Sequence, residues 1–195
     1  MKKLFALLFV FLLANSSSRL LAQEDETGMD PEMMKAWQEY MTPGPNHELL
    51  AKMVGEWKTE INSWMAPDAP PTVTEGKSVY ESILGGRYIQ SIETSTFMGM
   101  PFEGRAISGY DNASKKFFTY WIDNMGTGVL LAEGSYDEAS KTLTYIGSGM
   151  SFNGEYKTRE LIKWMSDDEI MFTMYMEEGG NPEMKMMEIK YTRVK

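Results

Sequence analysis

The 195-residue chain contains no cysteine and a single histidine, His47. The first absence excludes a disulfide framework, thiolate metal ligation, thiol redox chemistry and a lipid-modified cysteine anchor. The second excludes any multi-histidine metal site and most pairings of a nucleophile with a base. Positive charge is scarce: 19 Lys and Arg stand against 28 Asp and Glu, for a formal charge of −9. Such a field opposes phosphates and anionic headgroups, so neither nucleic acid nor an anionic lipid surface is an expected partner. The one long apolar run, Leu4 to Leu13, is about half of the ~20 residues needed to cross a bilayer. No serine sits in a strand-to-helix elbow and no glycine-rich phosphate loop precedes a helix, so no catalytic residue, metal ligand or cofactor is assigned.

What is present begins with Lys2 and Lys3, then the apolar run, then the small polar stretch Asn15 to Ser18. That order is a secretory signal peptide. Cleavage after Ala22 competes with cleavage after Ser18. Removing residues 1–22 takes away three positive charges and no acid, moving the formal charge from −9 to −12. The expected organisation is a signal peptide over 1–22, an acidic lead-in with a short helix over 23–42, and one domain over 43–195. The expected location is periplasmic or extracellular, with no stable membrane insertion after cleavage. No residue pattern sets an oligomeric state.

Two short helices open the mature chain. Asp30 can cap a helix over Pro31–Met41, where Met33, Met34, Trp37 and Met41 recur at helical spacing. A second is expected from Pro45 to Val54, capped by Asn46 and ended by Gly55. From Glu56 the texture changes to ten segments rich in Thr, Tyr, Val, Ile and Phe, separated by Gly, Pro, Asn or Asp. They centre on Glu56–Met65, Val73–Leu84, Arg87–Phe97, Phe102–Tyr110, Lys116–Met125, Gly128–Tyr136, Thr142–Met150, Tyr156–Met165, Glu169–Glu177 and Glu183–Val194. Short gaps without helical pattern argue for hairpins, and closure removes the two edges an open sheet would expose. The expected fold is all-β, a ten-stranded antiparallel up-and-down barrel of calycin type with short N-terminal helices. A membrane barrel is disfavoured because Lys157, Arg159 and Lys163 share one strand face and Glu160 occupies the other, leaving no lipid-facing belt.

Several segments, PGPNHELLAKMVGEW at 43–57, WMAPDAPP at 64–71, LGGRYIQS at 84–91, GMPFEGRAISGYDN at 99–112, WIDNMGTG at 121–128, EGSYDEASKTLT at 133–144 and IKYTR at 189–193, resemble the bacterial domain-of-unknown-function family 1579. The resemblance implies a barrel like those of lipocalins and fatty-acid-binding proteins, and no activity. Gly55-Glu56-Trp57 is also similar to the Gly-any-Trp opening of lipocalin-type barrels, which implies that Trp57 closes the floor beneath a late arginine, here Arg193.

Candidate pocket residues follow from charges in apolar strands, because a buried charge needs a partner or a ligand. Alternation puts Trp121 and Asp123 on one face of a strand and Glu103 with Arg105 on one face of another. Arg87 and Arg159 complete the set. His47, beside Glu48, reads as a surface or helix-capping residue, with a base or haem ligand as its functional alternative. The methionines around 171–187 are split by alternation between two faces and read as packing filler rather than a copper(I) site. Two functions are expected in competition. One is a non-enzymatic barrel that binds a small hydrophobic or amphipathic molecule. The other is a cell-envelope structural or interaction module without a ligand.

Overall fold

A computed structural model describes residues 30–195. The signal-peptide reading and most of the acidic lead-in lie outside the described residues. Two helices, α1 (Pro31–Met41) and α2 (Pro45–Ala51), precede ten strands: β1 (Gly55–Ser63), β2 (Thr72–Ile83), β3 (Tyr88–Phe97), β4 (Met100–Asp111), β5 (Lys116–Asp123), β6 (Leu130–Asp137), β7 (Thr142–Ser151), β8 (Gly154–Ser166), β9 (Glu169–Glu178) and β10 (Met184–Arg193). Each strand pairs antiparallel with the next, and β10 pairs with β1, so the meander closes into a barrel with no free edge. Among the described residues no helix is long and apolar enough to cross a membrane.

The turns are local chemistry. Asp111-Asn-Ala-Ser-Lys115 and Asp137-Glu-Ala-Ser-Lys141 are the same device used twice. The aspartate carboxylate accepts the amide two residues on, from Ala113 at 2.8 Å and from Ala139 at 3.0 Å. The closing lysines then take positive φ, 58° and 53°. These bonds hold both aspartates below the usual carboxylate range, chiefly through Ala113 for Asp111 and Ser140 for Asp137.

Asp30 caps α1 through the amide of Glu32 at 2.9 Å, yet α1 buries none of its residues. Its C-terminal end is held instead by the barrel. The Asn112 side-chain amide donates to the carbonyls of Glu39, Tyr40 and Thr42, and Arg87 donates to that of Met41 at 2.8 Å. The second helix ends at Ala51, short of Val54, and its cap is Gly44 rather than Asn46. The reason is His47, whose Nδ1 accepts the Gly44 amide at 3.0 Å.

The closed end holds the core. Leu49 and Leu50 of α2, with Met53 just beyond it, pack on Trp57, Phe117, Leu143, Trp164, Ile170 and Tyr191. Each such side chain contributes about 1.5–3 kcal/mol by leaving water. The Trp57 indole donates to the Met53 carbonyl at 2.8 Å, and Gly55, at φ 129°, leaves room for the Arg193 guanidinium, which a Cβ would meet at 2.7 Å. The barrel therefore has a sealed floor at the α2 end and a mouth at the other, formed by the β1–β2, β3–β4, β5–β6, β7–β8 and β9–β10 connections.

Candidate ligand-binding interior

Strand alternation divides the expected site residues between two sides of the wall. Trp121 and Asp123 share the inner parity of buried Phe117 and Thr119 on β5. The Trp121 ring lies flat against Gly104, where an added Cβ would come within 2.2 Å of it. Its indole N–H donates to Asp123 at 2.9 Å, and it stacks on Phe102 at 6.3 Å. The other four candidates lie elsewhere. Glu103 and Arg105 alternate with buried Gly104, so they face out and pair with each other at 2.7 Å. Arg159 lies between buried Thr158 and Glu160, so it too faces out, bonded to Glu183 and 4.1 Å from the Tyr175 ring centroid. Arg87 sits in the β2–β3 turn and serves the end of α1. An arginine on the outer face reaches both water and a surface carboxylate, so no interior partner is required.

The interior carries residues that charge alone does not single out. Glu93 shares the inner parity of Ile89 and Ser91, and Glu160 that of Thr158, Ile162 and Trp164. Parity with a tryptophan and opposite the lysines and arginines of the same strand is the signal that marks Glu160. Burial pushes both carboxyls up to about 7. Glu93 is well served: Ser78 donates to it, and Tyr80 and Ser91 also hydrogen-bond it. Glu160 receives a hydrogen bond from Thr158 at 3.2 Å. Its register partner on β7 is Tyr145, 1% exposed, whose hydroxyl has no hydrogen-bond partner among the described residues.

Toward the mouth the inner wall becomes aromatic and thioether-rich. Tyr156 covers Gly149, its hydroxyl 2.4 Å from where a Cβ would be. Met174 faces Met187 in direct register, and Met176 faces Met184. Cross-strand partners share a face, so the irregularity between Lys185 and Met187 gathers four of these methionines on the inner side, against the expectation that alternation disperses them. All four are half-buried. Every strand lysine and every strand arginine but Arg193 lies on the outer parity. Arg193 is committed to the floor, 4.1 Å over the Trp57 ring and bonded to the carbonyls of Lys52, Val54 and Asp167. His47 is buried at the floor, edge-on to Tyr110 at 5.8 Å, and burial lowers its pKa. With Nδ1 accepting from Gly44, it is a neutral joint between α2 and the barrel.

Outside the barrel, two depressions are visible. One of about 290 Å³ lies beneath the floor beside Trp164, Asp168 and Arg193. The other, about 470 Å³, is a groove over β5–β8 lined by Tyr120, Leu131, Ile146 and Lys157 among others.

No curated protein matches the chain. The crystal structure of Rv2717c from M. tuberculosis is similar in fold, with a TM-score of 0.58 at 13% identity over 79% of this chain and 100% of that one. The structure of EF1p2_mFAP2b bound to DFHBI is a more distant likeness, at a TM-score of 0.40 and 9% identity over 76% of this chain and 99% of that one. The family described as protein of unknown function (DUF1579) matches residues 42–193, nearly the whole of the barrel and its floor helix, and the chain belongs to it.

Proposed function

We propose that the protein is exported and carries a small, partly apolar molecule inside its barrel. The observation that supports this most is the inner wall toward the mouth: Phe102, Trp121, Tyr156, Met174, Met176 and Met187 are left half-buried on the inner face beside Asp123. An apolar wall with a few fixed polar groups is what a small-molecule site requires. The sealed floor supports the reading too, because it leaves one route in. Methionine side chains adapt to irregular ligands, which suits a carrier more than a site that must hold reacting atoms rigidly.

The test is native mass spectrometry beside denaturing mass spectrometry on protein purified from its own host. A small mass lost on denaturation supports the carrier. An apo mass that persists after incubation with a host small-molecule extract sinks it. The denatured mass also reports export: a chain beginning at Gln23 or Arg19 supports it, and an intact Met1 terminus in protein recovered from the host contradicts it.

A second reading is an envelope interaction module. Ile107, Tyr120 and Leu131 stand in register across the outer face of β4, β5 and β6, each more than 40% exposed, with Ile122 and Ile146 close by. A contiguous apolar strip of this kind marks association surfaces. Tyr120→Lys with Leu131→Glu would abolish any self-association seen by light scattering and leave ligand content unchanged.

A further inference from the structure

The carrier reading leaves open which chemistry the ligand presents, and the following rests on that reading. Four carboxyl groups lie on the inner faces of their strands: Glu93, Asp123, Glu160 and Glu178. They form a lane rather than a cluster. Glu93 and Asp123 both stand opposite Gly104 in register, from β3 and β5, and Glu178 stands opposite Tyr156 on the strand that carries Glu160. Burial first, and the carboxylates of Asp123, Glu160 and Glu178 after it, raise the pKa of the Tyr156 hydroxyl. Among the described residues no three acidic or histidine groups converge as metal ligands would. The inner-face cation Arg193 is spent on the floor. The lane is thus acidic, without a counter-ion of its own.

A second observation points to an occupant. The Tyr145 hydroxyl is buried beside Glu160, and although the Ser108 hydroxyl approaches it, Ser108 donates to Thr119 instead and no hydrogen bond of ordinary geometry reaches Tyr145 among the described residues. Leaving such a group unpaired destabilises the bare protein, a cost a ligand can remove. Glu160 accepts from Thr158 alone among the described side chains, whereas an ionised carboxylate offers about four acceptor positions.

We infer that Glu160, with the Tyr145 hydroxyl, anchors the positively charged nitrogen of an organic cation, an amine or guanidine whose apolar body lies against Trp121, Tyr156 and the inner methionines. A carboxylate and ring faces on one wall are the combination that favours such a cation over a neutral or anionic molecule of the same shape. Burial pushes the Glu160 carboxyl up to about 7, and an arriving cation favours its charged form.

The test is calorimetric titration of the full protein as purified from its host, cleared of bound small molecules, with three probes of one shape: tryptamine, indole-3-acetamide and indole-3-acetate. Tryptamine is expected to bind about tenfold or more tightly than the acetamide, the gain of a charge-assisted hydrogen bond, and the acetate more weakly than either. Glu160→Gln is expected to erase the preference for tryptamine while acetamide binding persists. Glu103→Gln, on the outer face, is expected to preserve it. Circular dichroism shows whether Glu160→Gln is folded, and Glu160→Asp supplies a charge-preserving second variant that retains part of the preference. Equal or tighter binding of the acetamide or acetate, a preference that survives Glu160→Gln in a folded variant, or no binding by any probe overturns the inference. Native mass spectrometry separates the two readings. A co-purified neutral molecule, anion or metal ion leaves a barrel that binds something and removes the organic cation, while an apo protein that binds no probe removes both.

Discussion

Trp57 and Arg193 face each other in register across the β1–β10 seam, with the guanidinium carbon 4.1 Å from the indole centroid. The guanidinium also donates to the Lys52 and Val54 carbonyls, each at 2.7 Å, and to that of Asp167 at 3.0 Å. One side chain therefore joins the first and last strands, the β8–β9 turn and the segment that leaves α2. Helices leave their last carbonyls unpaired, and here a late arginine satisfies the carbonyls just beyond the helix.

Removing that arginine is the first prediction. Arg193→Ala is expected to lower stability by about 2–4 kcal/mol, since it removes three hydrogen bonds to backbone carbonyls and uncovers the Trp57 face together. Arg193→Lys is expected to recover only part, because an ammonium cannot serve three directions and a ring as the planar fork does. Urea unfolding followed by tryptophan fluorescence checks both. Equal stability of the alanine variant and the wild type would mean the floor is held by α2 packing alone.

Stability should fall with rising pH across an unusual window. Glu93 and Glu160 are pushed up to about 7 in the folded barrel, against about 4.3 for an unfolded glutamate. Between those values the native state holds more protons than the unfolded state, so stability declines as pH rises and levels off above about 7, by up to about 3 kcal/mol per carboxyl. The sign is opposite to that of Asp111 and Asp137, whose lowered values cost stability only on acidification below the ordinary carboxylate range. Glu160→Gln is expected to flatten the decline, and chemical denaturation at a series of pH values measures it.

Gly104 is expected to behave as part of the pocket wall. Its missing Cβ makes room for the Trp121 ring, so Gly104→Ala must displace the ring and break its bond to Asp123. The strain of overpacking is about 1–3 kcal/mol. The near-ultraviolet dichroism should change while the far-ultraviolet spectrum keeps its β signature, and ligand binding should weaken. An unchanged near-ultraviolet spectrum would place Trp121 outside any such contact.

Asn112→Ala is expected to loosen α1 without weakening the barrel. Its amide bonds three carbonyls at the end of a helix that buries nothing. Amide exchange across 31–42 should quicken, while the melting temperature moves by less than about 2 °C. A large fall in melting temperature would mean that α1 contributes to the core.

How much of this was legible in the linear chain depends on the range of the interaction involved. The helix over 31–41, its Asp30 cap, the ten strands and the turns at Asp111 and Asp137 all follow from contacts within a few residues, and the order of short hairpins leaves a meander as the simple solution. The N-cap of α2 was misassigned because His47, not Asn46, meets the Gly44 amide, a choice that depends on the ring's burial against Tyr110.

Sequence by itself determined that each strand has two faces and which residues share one, since side-chain parity is a property of a single extended chain. It placed Trp121 with Asp123 and Glu103 with Arg105, but it could not say which face turns inward. Both faces of β8 mix apolar and charged residues, so neither announces itself as core, whereas on β4 the charges Glu103, Arg105 and Asp111 all fall on one face. Only closure of β10 onto β1 decided that Arg159 meets water while Glu93, Glu160 and Tyr145 do not. The physical reason is that burial belongs to the closed surface: a carboxyl becomes interior when strands distant in sequence complete the wall around it, and no local pattern carries that information.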